Sequence, residues 1–198
     1  MKKSLLFLWI VLLTLGSCTK DRDVKKLVPP SEQGPDVGST GNGVTISVGK
    51  IKINEYLIKS NVANCEIPGL ASDWVELYNT SDDVIPFEAG KWFVTDDLTS
   101  KEKWQMPAFT LNPHAFVVIY CNSHDSVGGQ YHSNFSLSNN GESLGLAFKG
   151  TSTVTAQFID SLNFIANDPP ADNSKGRMPD GANLWQIFGT PTPGSSNQ

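Results

Sequence analysis

From residue 44 onward, apolar positions recur at two-residue spacing over short stretches, with no sustained helical period. That alternation predicts half-buried β-strands. Across residues 50–58, Ile51, Ile53 and Leu57 share one parity, and polar Lys52 and Asn54 take the other. In residues 74–79, Val75 and Leu77 lie on one face and Trp74, Glu76 and Tyr78 on the opposite one. Residues 115–120 form a continuous apolar run, which predicts a central strand covered on both faces. Leu144, Leu146 and Phe148 alternate cleanly, and Phe158-Ile159 and residues 162–165 add one or two strands more. Asn140-Gly141 predicts a tight hairpin because both turn positions favour positive φ, and Lys149-Gly150 is a weaker signal of the same kind. Seven to nine short strands over roughly 150 residues predict a sandwich.

The chain before residue 44 is different. Lys2 and Lys3 precede a nearly unbroken apolar run over residues 5–13, then Leu15-Gly16-Ser17-Cys18. The run is too short to span a membrane comfortably and reads as the hydrophobic part of a signal peptide. Its ending resembles the lipobox of bacterial lipoproteins. That resemblance implies cleavage after residue 17, a diacylglycerol on the Cys18 thiol, and an acylated amino group at the same residue. Thr19 follows in place of an aspartate, which implies export to the outer membrane, and the charged residues 20–23 resemble the export tags of surface lipoproteins. Residues 18–43 are poor in apolar side chains and rich in Pro, Gly and Ser, so they predict a disordered tether. A coil of that length spans on the order of 25–30 Å. The expected organisation is a signal peptide at 1–17, a lipidated tether at 18–43, and a β domain at 44–198.

Composition supports this division. The 17 glycines and 12 prolines favour short strands joined by turns. Losing residues 1–17 removes two lysines and no acid, which takes the formal charge from −5 to −7. An acidic chain without a basic stripe repels phosphate backbones and makes nucleic acid a poor partner.

An ordered set of motifs runs through the β region. Ile53-Asn54-Glu55 opens it, followed by Asp73-Trp74-Val75-Glu76-Leu77-Tyr78-Asn79 and Gly90-Lys91-Trp92. Arg177-Met178-Pro179-Asp180-Gly181, Trp185 and residues 190–197 close it. Together these resemble the bacterial lamin-tail domain, an immunoglobulin-like β-sandwich, over about residues 49–197. Lys91 intervenes between the glycine and the tryptophan of the third motif, which predicts a bulge or altered turn there. The resemblance implies attachment or recognition without catalytic residues. It also marks Asn54, Glu55, Asp73, Glu76, Asn79, Trp92, Arg177 and Trp185 as motif positions with mainly structural roles.

Candidate chemistry is sparse. Cys65 and Cys121 remain once Cys18 is lipidated, and outside the cytoplasm an even pair suggests a disulfide. Glu55, Asp73 and Glu76 could form a cation site or an acid–base pair. The plainer reading is that they accept backbone and indole N–H bonds at strand ends. His114, His124 and His132 are too widely spaced for a zinc site. Asp96-Asp97 and Asp168 with Asp172 could supply oxygens to calcium, but they lack a calcium loop's regular alternation. No cofactor is expected. Trp74 and Trp104 are the tryptophans with a case for facing solvent, where they could stack on sugar rings. Residues 61–72 and 122–133 are the loops expected to form the surface that contacts a protein or glycan ligand. The expected function is a non-catalytic module on the cell envelope that binds a protein or glycan. A purely structural envelope role is the alternative, and a metal-assisted hydrolase is a remote one.

Overall fold

The computed structural model describes residues 48–198 other than 66, 125, 127 and 151–153. A 3-10 turn at Val48–Lys50 leads into β1 (Ile51–Leu57), β2 (Asp73–Asn79), β3 (Ile85–Phe87) and β4 (Trp92–Thr95). These are followed by β5 (Trp104–Gln105), β6 (Phe109–Leu111), β7 (Phe116–Cys121) and β8 (Tyr131–Ser133). The last four are β9 (Gly141–Phe148), β10 (Gln157–Ile165), β11 (Ser174–Arg177) and β12 (Trp185–Phe188).

The strands form an all-β, immunoglobulin-like sandwich. The large sheet runs β12-β11-β1-β2-β7-β8, the small sheet β10-β9-β4-β5, and β3 with β6 makes a separate ribbon. Pairing is antiparallel throughout except between β7 and β8. Between the sheets, Ile51, Ile53, Val75, Leu77 and Ile119 meet Val94, Leu144, Leu146 and Phe148. Trp92 is buried in the same core, stacked on Phe87 at 4.2 Å and edge-on to Phe148 at 4.9 Å. Burying each such aliphatic side chain contributes about 1.5–3 kcal/mol.

Several expectations change. Among the described residues twelve strands form, more than the seven to nine expected, and Phe158 and Leu162 lie on one continuous strand, β10. Leu57 does not share a face with Ile51 and Ile53. A bulge between Ile53 and Glu55 shifts the register of β1, so Tyr56 and Ile58 turn to the core and Leu57 to the outer face. One extra residue reverses the parity of everything after it. Asn140-Gly141 is not a hairpin. The turn there leads into β9, and only Gly141 takes a positive φ, 94°. The hairpin partner of β9 is β10, so the weaker signal at Lys149-Gly150 begins the true connection. β7 is internal, but its first three residues are only half-buried, so one end of it remains partly open. Lys91 sits in a turn, its amide donating to the Glu88 carbonyl at 3.2 Å.

Candidate functional site

The β1 bulge organises the outer face of the large sheet. Glu55 and Glu76 are cross-strand partners, and both are 0% exposed. They are covered by the closing segment, residues 190–197. Thr192 donates its amide to Glu55 Oε1 at 3.2 Å and its hydroxyl to Oε2 at 2.9 Å. The Gly194 amide donates to Glu76 Oε2 at 2.7 Å, and the Asn54 amide group donates to Glu76 Oε1 at 3.1 Å. Asp180 completes the group, accepting from Asn54 at 2.9 Å and from the Asn197 amide at 3.1 Å. The segment lies flat because Gly176, opposite Glu55, has no side chain. A Cβ there would stand 2.5 Å from Asn197 Nδ2.

Burial pushes the Glu76 carboxyl up to about 8, with Glu55 and Asp180 adding repulsion, and burial also raises Glu55. Such values could suit proton transfer, but a general acid must reach its substrate. These two carboxyls are sealed beneath the closing segment, and their hydrogen bonds fasten that segment to the sheet. The bonds come from amides and a hydroxyl, not from an indole as expected. Trp92 Nε1 is buried without a partner among the described residues.

Asp73 belongs to a different place, the end of the sandwich where β2 begins. Burial pushes it up to about 7, eased by the Leu137 amide and reinforced by Glu142. Glu142 in turn accepts the Ser138 amide at 2.9 Å, and Lys103 pairs with Asp96 nearby. Asn79 is fully buried and bonds the carbonyls of Asp83 and Asn112 at 2.8 and 3.0 Å. Its own oxygen accepts from the Ser81 amide and hydroxyl, which closes the turn after β2. Of the motif positions, Asn54, Glu55 and Glu76 are brought together on the outer face, whereas Asp73 and Asn79 stand at opposite ends of β2, Trp92 lies in the core, and Arg177 stacks on Trp185.

The expected sugar platform does not exist at Trp74. That side chain is 1% exposed, packed on the outer face with Leu57, Tyr120 and Cys65. Trp104 is half-buried against the core. The expected disulfide is not formed either: Cys65 and Cys121 are free thiols. The alternation of β7 explains why. Tyr120 faces the outer cluster, where Cys65 packs, and Cys121 faces the inter-sheet core. The two sulfurs lie on opposite sides of one sheet, beyond disulfide reach.

The histidines do not converge. His114 meets Tyr78 Oη at 3.2 Å and Asp82 at 2.9 Å, His132 meets Asn122 at 3.1 Å, and His124 is exposed. Asp97 caps the Thr99 amide and hydroxyl, Asp172 holds the Asn61 amide, and Asp168 pairs with Lys175 at 2.5 Å. No three His, Cys, Asp or Glu side chains among the described residues are arranged to hold a metal. The segments 61–72 and 122–133 lie side by side, with Asn122 donating to the Ser72 hydroxyl at 3.0 Å. Cys18 lies outside the described residues.

The sequence reading missed a cleft. It has a volume of about 110 Å³ and is lined by Tyr56, Leu162, Asn163, Lys175 and Trp185. These residues come from β1, β10, β11 and β12, where the edges of the two sheets part. The Tyr56 and Trp185 rings lie 5.7 Å apart, and the Arg177 guanidinium sits 4.5 Å from the Trp185 ring. Arg177 is itself anchored to the Ile53 carbonyl at 2.7 Å and to Asp160 at 3.0 Å. Strand parity alone hides the cleft, since without the bulge Tyr56 is assigned to the outer face.

No curated protein shows significant similarity to the chain. The sequence matches the Lamin Tail Domain family over residues 45–164, more than half its length. The matched region ends one residue before the end of β10. β11, β12 and the closing segment lie beyond it, yet β11 pairs directly with β1 inside the large sheet. The motifs, the sandwich and the match agree, and the chain belongs to the lamin tail domain family, a family of non-enzymatic immunoglobulin-like domains.

Proposed function

We propose that this chain is a non-catalytic binding module, anchored to the cell envelope through a lipid on Cys18, that recognises an extracellular or periplasmic protein or glycan. The observation that carries the binding role is the cleft between the sheet edges. It brings Trp185 and Tyr56 together with Asn163 and Lys175 at one concave place, the mix of apolar wall and few polar groups that ligand sites use. The buried carboxylates support the non-catalytic half of the reading, because they are taken up in holding residues 192–197. The anchor rests on the sequence pattern of residues 1–18, and acyl chains at ~0.8 kcal/mol per buried methylene would secure it. The anionic chain and the tether fit a domain held clear of lipid headgroups.

Two measurements test the proposal. Metabolic labelling with a radioactive fatty acid should mark the wild-type chain and leave Cys18→Ala unlabelled; an unlabelled wild type removes the anchor. Cross-linking and affinity capture from native membranes, beside a glycan array, should return a saturable ligand. A chain that captures neither protein nor glycan removes the binding role.

A further inference from the structure

The cleft has features that select among ligand chemistries. At about 110 Å³ it is well below the ~300 Å³ at which drug-sized pockets begin, so it takes one ring or one side chain. Its wall is aromatic. Trp185 is half-buried and held in place by Arg177 on β11, while Tyr56 is 2% exposed and wedged between Trp185 and Phe164. Its rim is polar. Asn163 accepts the Ser143 hydroxyl through Oδ1 at 2.7 Å, and its Nδ2 takes no partner among the described residues. The Tyr56 hydroxyl likewise has no hydrogen bond among the described residues, although the ring is almost wholly buried. Lys175 lines the cleft and is held by Asp168 at 2.5 Å, which leaves its other ammonium protons for a ligand.

A free anion is a poor match, because Asp168 already balances the only cation lining the cleft. An aliphatic side chain is a poor match too, because it would cover the Tyr56 hydroxyl and Asn163 Nδ2 without bonding them. A sugar ring satisfies both demands, since it offers an apolar C–H face to an indole and hydroxyls that both donate and accept. We propose that the cleft between β10 and β12 seats a single pyranose ring of a glycan against Trp185 and Tyr56, hydrogen-bonded by Asn163, the Tyr56 hydroxyl and Lys175. This rests on the reading of the chain as a binding module and names the ligand class for its cleft.

The test is an array of glycans ending in hexoses, N-acetylhexosamines and uronates, probed with the full chain and three variants. Tyr56→Phe removes one hydroxyl, Asn163→Ala changes an exposed edge residue, and Trp185→Ala removes the platform. Near-UV circular dichroism and melting report whether each variant keeps its fold. The expected result is selective binding of one terminal sugar type, weakened about 3–10-fold by each of the first two variants and at least ~10-fold by the third. If Trp185→Ala unfolds, the first two variants decide alone. Selective glycan binding that none of the variants weakens places the sugar elsewhere and overturns this inference, while the binding module stands. A blank array, with a membrane protein captured by the wild type and lost from Tyr56→Phe, makes the cleft a peptide site and also overturns it. A chain that captures nothing removes the module reading together with the inference.

Discussion

Ile53 shows how a side-chain pair can replace a neighbouring strand. Its amide donates to Asp160 Oδ2 at 2.9 Å, and its carbonyl accepts from Arg177 Nε at 2.7 Å. Arg177 and Asp160 are themselves paired, with side-chain exposures of 6% and 11%. Removing one partner of a buried pair strands the other charge, so Arg177→Met should lower stability by about 3–5 kcal/mol in urea titration. The double variant Arg177→Met/Asp160→Leu should cost clearly less than the two single changes combined. A second effect is electrostatic. Glu76, raised to about 8, and Glu55, also raised, bind protons more tightly folded than unfolded. Their contribution is fully present below the ordinary carboxyl range and is lost as pH rises through the folded value. Asp73, raised to about 7, acts in the same direction. His132, lowered by burial, acts oppositely as pH falls below its ordinary 6.5. The melting temperature should therefore fall by roughly several degrees between pH 6.5 and 8.5, and Glu76→Gln should flatten that slope. The identity of these residues was legible in the motifs. Their burial was not, because it depends on a segment more than 100 residues away in sequence.

At the level of elements, β1 decides the most with the least. Its bulge puts Asn54 where one side chain bonds Glu76, Asp180 and the Gly181 amide. Asn54→Ala should cost about 2–4 kcal/mol, measured by chemical denaturation, because it leaves buried partners unmet. Gly176→Ala should loosen the closing segment specifically. Faster hydrogen exchange at the Thr192 and Gly194 amides, with β9 and β10 unchanged, is the expected result. The alternating strands β2 and β9 were readable because one face of each meets the core. A bulge carries no comparable signature, so the second half of β1 was assigned to the wrong face. Thiol chemistry follows from the same geometry. Cys121 is buried, and burial pushes its thiol up, whereas Cys65 is only partly covered. Alkylation of the native chain should modify Cys65 first, and mild oxidation should leave non-reducing mass spectra without an internal bridge.

Across the whole molecule, the sandwich was legible from strand patterning and its motifs, but the cleft and the sealed carboxylates were not. Both arise only where distant strands meet, and single-strand parity says nothing about such meetings. The large sheet joins β1 to β11 and then covers the join with residues 190–197. Deleting residues 190–198 should lower the melting temperature and also flatten the pH slope, since Glu76 would return toward its ordinary range in water. The same arrangement sets the order in which the chain can mature. A ribosome delivers β1 and β2 early, but the groups that complete their outer face are among the last synthesised, with Thr192 137 positions after Glu55. Contacts of such long sequence separation form slowly. A chain halted before residue 190 therefore carries two carboxyls open to water on an unfinished sheet. Residues 190–197 are thus the last part of the chain that the outer face of β1 and β2 needs to be complete.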